Sequence, residues 1–199
     1  MRTIEGKAIR RELAGYFAMV GLAGLLLPMA VWADHCPDDL VIPGNPEHQV
    51  AGLDIAHDAL RDAKRLFGAS ARHREGTDVG YPKGSGWVEY EWTVATAKLT
   101  IVTEFYTNDA GARVETVTGI TVEGSKPVRS LRTGRGAGLG DTLGDIERVY
   151  GVKHMAGSLR GSGPDASTVT FCYQDETALE FVFDSTGKAS QVFLSRSEE

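Results

Sequence analysis

Glu89, Glu91 and Glu104 are the residues whose types and spacing first suggest chemistry in this chain. Two carboxyls held near each other can divide the roles of general acid and general base, provided their surroundings separate their pKa values. Here the three fall within "GWVEYEW" and "KLTIVTEFYT", where charged and polar residues alternate with apolar ones. Period-two alternation is the pattern of a half-buried strand, so all three carboxyls belong to one solvated sheet face. An open face desolvates a carboxyl too little to split two pKa values, and no catalytic residue is assigned. Trp87 and Tyr106 share that face. Aromatic anchors beside fixed negative charge suit a protein interface, with a basic patch on the partner as the natural complement. Trp87, Glu89, Glu91, Glu104 and Tyr106 are therefore the candidate binding residues. The competing reading is that Trp87 packs against the loop at Gly76–Gly84 and the glutamates only solubilise the face.

Other chemistry is absent from the pattern. The five histidines, His35, His48, His57, His73 and His154, form no zinc-ligand spacing, and no C-x-x-C occurs. Isolated histidines are expected to be ordinary exposed side chains, and neither metal nor cofactor is expected. "GRGAGLG" at Gly134–Gly140 has neither the dinucleotide nor the Walker spacing, and Asp141 would set a negative charge beside any phosphate. It reads as a flexible lead-in to the next helix. No G-x-S-x-G elbow is present, and neither cysteine has a nearby histidine–acid pattern.

The elements that must hold the candidate face come after a leader. Arg2, Lys7, Arg10 and Arg11 open the chain, and no residue from Leu13 to Ala33 is charged. "VWA" at Val31–Ala33 places small residues where signal peptidase accepts them, so residues 1–33 read as a signal peptide. An uncleaved anchor in the inner membrane is the alternative. The whole chain carries a net charge of −6; without residues 1–33, which hold four basic and two acidic groups, it carries −8. That balance excludes nucleic acid and anionic membrane surfaces as natural partners. Cys36 and Cys172 both follow the leader, in a compartment that permits oxidation, and are expected to pair. A disulfide closing so long a loop stabilises by roughly 4–5 kcal/mol in the chain-entropy model.

The chain also repeats itself. "HDALRDAKRLFG" at His57–Gly68 returns as "GDTLGDIERVYG" at Gly140–Gly151. Each reads as a helix, with Leu60, Ala63, Leu66 and Phe67 on one stripe and Leu143, Ile146, Val149 and Tyr150 on the other. Asp58 and Asp141 stand where an N-cap belongs, and Gly68 and Gly151 where a C-cap residue needs positive φ. The first helix has room to begin as early as Asp54. Alternating strands follow each helix, giving in both copies a helix and then a three- or four-stranded antiparallel meander. Val88, Tyr90, Trp92, Leu99, Ile101 and Phe105, with Phe171, Tyr173, Leu179, Phe181 and Phe183, face the helices. Thr170, Cys172, Gln174, Glu180, Val182 and Asp184 continue the opposite face in the second copy.

"GLGDTLGDIERVYG", a polar loop and then "VTFCYQDETALEFVFDSTGK" together resemble a group of small exported α+β modules. The group includes the β-lactamase inhibitor protein family and the small lipoprotein of the outer-membrane β-barrel assembly machinery. The resemblance spans roughly residues 52–123 and 134–195. It implies a two-layer sandwich without a cofactor and, as in the tandem inhibitors, one joined sheet as a binding surface. Two departures stand out: Cys172 aligns with Glu89 rather than with an inhibitor cysteine, and no lipid-acceptor cysteine follows a lipobox.

The expected protein is of α+β class, with two tandem units of helix on antiparallel meander forming a two-layer sandwich. Its segments are a signal peptide or anchor (1–33), an N-terminal arm (34–51), a first repeat (52–124), a linker (125–137) and a second repeat (138–199). The expected function is an exported, inhibitor-like, non-catalytic protein-binding module of a bacterial periplasm or exterior. It would bind a protein partner with a basic patch through the face opposite the helices. An envelope-assembly or structural role is the alternative, and a hydrolase a distant third.

Overall fold

In the computed structural model, residues 40–57, 59–69, 72–77, 83–158, 167–174 and 177–196 are described. Residues 1–33, expected to be a leader, lie outside them, as do His35, Cys36, Asp58 and most of the "GSLRGSGP" loop. In chain order the elements are β1 (Val41–Ile42), β2 (Gln49–Val50), β3 (Leu53–Asp54), α1 (Ala59–Phe67), β4 (Arg72–Gly76), β5 (Gly86–Val94), β6 (Ala97–Thr107) and β7 (Arg113–Glu123). A 3-10 turn at Arg129–Leu131 follows, and then α2 (Leu143–Tyr150), β8 (Met155–Ser158), β9 (Ser167–Tyr173), β10 (Thr177–Phe183) and β11 (Ala189–Arg196). The class is mixed α+β, with one large sheet and two α-helices among the described residues.

The sheet runs β9-β10-β11-β7-β6-β5-β4, each neighbour antiparallel. Two short strands share the outer edge of β9. Antiparallel β8 takes Ser167–Thr170, and parallel β1 sets Val41 beside Cys172 and Ile42 beside Tyr173. At the middle of the sheet β7 meets β11, with Ile120 opposite Leu194 and Val122 opposite Val192. All four of those side chains are fully buried, so this seam is core rather than boundary.

Alternation places the core as expected. Trp92, Leu99, Ile101, Phe171, Tyr173, Leu179, Phe181 and Phe183 join one cluster with Ala59 and Ala63 of α1 and Ile146 and Tyr150 of α2. Tyr90 packs against the same cluster, while Val88 and Phe105 are buried on that face beyond it. Each strand thus lends the residues of one face to a single hydrophobic layer shared with both helices. Trp92 is also fixed by its indole N–H, which donates to the Gly68 carbonyl at 3.0 Å.

Several local expectations are corrected. Leu66 is 53 % exposed, and Leu143 and Val149 are exposed too. The short helices bury only a narrow stripe, so residues near its margin face water. Helix α1 starts at Ala59, not near Asp54, because Asp54 sits in β3, where its carboxyl accepts from the Ala56 N–H and closes a turn. The cap of α2 is Thr142 rather than Asp141. Thr142 and Asp145 form a reciprocal capping box, and the Thr142 bonds hold the Asp145 carboxyl down at about 2. Asp141 instead grips Arg132 through two bonds of 3.1 Å and accepts the Gly138 N–H at 2.9 Å.

The glycine-rich stretch is correspondingly not a flexible lead-in. Leu131, Ala137 and Leu139 are buried in the core. Thr133 bridges Val50, and the Gly134 N–H donates to the Gln49 carbonyl at 2.9 Å. Gly140 adopts φ +82°, and a Cβ there would lie 2.6 Å from Pro127. The same stretch supplies half of a buried polar knot. Glu47, buried to 4 % exposure, accepts from the N–H groups of Gln49 (2.9 Å) and Arg135 (3.1 Å) and from the Tyr150 hydroxyl (2.6 Å). Burial, reinforced by the bond to Glu47, pushes the Tyr150 phenol far above its ordinary range, so it remains a donor. Tyr150→Phe would leave Glu47 buried with one donor missing. It should lower unfolding stability by about 1–3 kcal/mol, read from urea denaturation at an unchanged m-value.

Candidate functional site

The face opposite the helices is built from alternate residues of β4 to β7. The β5–β6 register sets Trp87 opposite Glu104, Glu89 opposite Val102 and Glu91 opposite Thr100. Tyr106 follows Glu104 by one alternation and lies opposite Val114. The five sequence-predicted residues are thus brought together on two adjacent strands. Their availability differs. Tyr106 is 49 % exposed, the most open aromatic of the set. Glu91 and Glu104 are half-buried.

Glu89 is more committed than its place in the alternation suggests. Only 13 % of its side chain is exposed, and Arg74 from the edge strand β4 reaches its carboxyl at 2.5 Å. Trp87 is half-buried, its indole set against Gly76, its register partner on β4. A Cβ at Gly76 would sit 2.5 Å from that ring. Packing of Trp87 toward the Gly76 end therefore coexists with a place on the face. A second ion pair, Lys98–Glu123 at 2.7 Å, lies on the same face at the far end of β6 and β7. The result is a shelf with an aromatic rim and mixed charge.

Sequence reasoning missed how far this face changes character toward β9. Thr168, Thr170, Cys172, Ala178, Val182 and Phe193 all point to it and all are buried. Glu180 stands among them, accepting the Thr170 hydroxyl at 3.1 Å. Its burial raises the carboxyl pKa, and the Thr170 bond only partly offsets this. The alternation of small and hydroxyl residues there carries no sign of cover. Only the unusual density of Ala, Thr and Cys could have hinted at it.

The described histidines are dispersed. His57 approaches Asp54 at 3.3 Å, His73 stacks on Tyr90, and His154 bonds Glu147 at 2.9 Å with its ring edge-on to Phe171. Among the described residues no group of three His, Cys, Asp or Glu side chains could hold a metal ion. On the helix side of the sheet, Glu115 gathers the hydroxyls of Tyr90 (2.8 Å) and Thr103 (2.6 Å). Partial burial, with Glu115 adding to it, pushes the Tyr90 phenol up to about 12, which makes it a structural donor rather than a base near neutrality.

Comparison with protein-family models, with curated proteins and with solved structures returned no match.

Because folding raises the Glu180 pKa, the folded chain holds that proton more tightly than the unfolded one. Its contribution to stability is therefore fully present below the unfolded pKa and is lost as pH rises through the folded value. Glu180→Gln removes the charge and keeps the shape. It should raise Tm by about 2–4 °C at pH 7.5, with the gain vanishing near pH 4, as measured by thermal denaturation at both pH values.

Proposed function

We propose that this chain is an exported, non-catalytic protein-binding module built from two tandem α+β units. In each unit a helix packs on a four-stranded antiparallel meander, and the two meanders join into one two-layer sandwich. Three observations support the duplication. The repeated segments fall on α1 and α2. Each helix is followed by four strands paired in chain order, β4-β5-β6-β7 and β8-β9-β10-β11. The last strands, β7 and β11, meet antiparallel at the centre, as an approximate two-fold axis between copies would require. The resemblance to tandem inhibitor modules agrees with this arrangement.

The binding reading rests on one observation: an exposed aromatic, Tyr106, near Glu104 and Trp87, with Glu91 farther along the same face, on a sheet whose other face is a continuous core. Side chains on paired strands lose little conformational freedom on docking, so such a face is preorganised for a partner. Glu91 and Glu104 favour a basic patch on that partner, and Tyr106 a pocket for an aromatic anchor. Arg74 and Lys98 pair with Glu89 and Glu123 on the same face.

The experiment is a pull-down from envelope and secreted fractions with the oxidised chain as bait. One stoichiometric, salt-sensitive protein should be recovered. Trp87→Ala combined with charge reversal at Glu91 and Glu104 should weaken that partner by more than about tenfold. Unchanged affinity with an intact fold would remove this face from the interface. A folded bait that recovers no protein would shift weight to an enzymatic or structural role.

A further inference from the structure

The buried half of the outer face needs an occupant. Gly119 accounts for part of the cover over Phe193, since a Cβ there would lie 3.2 Å from the ring. The rest has no source among the described elements. Helices α1 and α2, the β2–β3 hairpin and the 129–142 segment all bury their apolar side chains in the cluster on the opposite face. Cys172, Ala178, Val182 and Phe193 are buried but stand outside that cluster.

We propose that this patch is the seat of the chain's own N-terminal arm, residues 34–39, held there by a disulfide between Cys36 and Cys172. The path of the chain argues for it. Val41 is the parallel partner of Cys172, so the residues before it run back toward Thr170. Met155 of β8 already occupies the sheet edge beside Thr170. The arm therefore cannot continue in the plane of the sheet and must leave β1 over one face. The inner face is taken at this point: Tyr150 and His154 pack on Phe171, and Tyr173 is buried in the core. The outer face, on which Cys172 lies, is the one left.

Reach and chemistry agree. Cys36 precedes Val41 by five residues, which span at most about 17 Å, while neighbouring strands lie about 4.8 Å apart. A disulfide needs its two Cα atoms about 4.4–6.8 Å apart, well within that reach. Pro37, directly after Cys36, favours the turn that such a return requires. Lys153 secures the other end of the path, donating from Nζ to the Val41 carbonyl at 2.6 Å. The arm then covers β9–β11 and leaves the β4–β7 half of the face open. This assignment goes beyond the binding reading and does not depend on it.

The test is non-reducing peptide mapping of the full chain from an oxidising compartment, joined to side-chain footprinting. Carbodiimide labelling reads Glu180, and hydroxyl-radical oxidation reads Phe193. The expected result is one cross-linked pair of peptides containing Cys36 and Cys172, with both reporters protected. In Cys36→Ser the labelling of both should rise about threefold or more, while near-ultraviolet dichroism from the aromatic core stays unchanged. If Cys36→Ser does not fold, mild reduction of the folded chain takes its place with the same readouts. Two alkylatable thiols in the folded, oxidised chain would overturn the proposal. So would unchanged protection after the disulfide is removed, which would leave residues 159–166 as the cover. Partner capture through Trp87 and Glu104 is read separately, so its failure would not be confused with either result.

Discussion

The carboxyl of Glu47 is the point on which the arrangement of layers depends. It stands before β2 in the chain, yet its three donors come from Gln49 beside it, from Arg135 in the glycine-rich stretch and from Tyr150 at the end of α2. Hydrophobic burial alone is non-directional and would let α2 slide over the strands beneath it. A buried acid with three geometric demands does not allow that. Tyr150 translates the constraint into packing: its hydroxyl is held by Glu47 and contacts Thr133, while its ring rests on Phe171 and Phe181. The Arg135 guanidinium lies over the same ring and reaches the Asn45 carbonyl, closing the knot from outside.

This explains why a segment that looks like a linker behaves as core. "TGRGAGLGD" lacks the spacing of a helix or strand, and glycine in that number reads as freedom. Its order comes from Glu47, Gln49 and Val50, distant in sequence, on one side and from its own Asp141 clamping Arg132 on the other. Once backbone donors are claimed this way, glycine supplies close approach and positive φ rather than mobility.

Much of the fold was legible because alternation is a strong signal in long strands. The face of every core residue on β5, β6, β9 and β10 follows from period two, and the paired helices follow from the repeated segment. What escaped the sequence was short, polar or non-local. β4 is "RHREG", a charged edge strand whose composition resembles a loop because edges are protected by charge. β1 is two residues held by β9 and Lys153. The exposure of Leu66 and Val149 shows the limit of stripe reasoning in helices of barely two turns. At the candidate site, grouping of the five residues was legible, but the partners that temper them were not. Arg74 belongs to the unrecognised β4, and so does the glycine under Trp87.

The two faces of the sheet also divide the physical tasks. The inner face is continuous across the β7–β11 seam, so one apolar layer runs under both halves of the sheet. On the outer face between β4 and β7, Lys98–Glu123 is an ion pair that remains accessible to water. Such pairs contribute about 0–1 kcal/mol, so exchanging one for a contact with another protein costs the fold little. Toward β9 the situation reverses: Glu180 is buried among small residues, and rearranging that region would expose or strand a desolvated acid. A surface meant to engage and release a partner is better placed where pairing is weak and exposed than where an acid is already desolvated. By that criterion the proposed interface falls on the Trp87–Tyr106 half, and the β9–β11 half is better suited to the protein's own architecture.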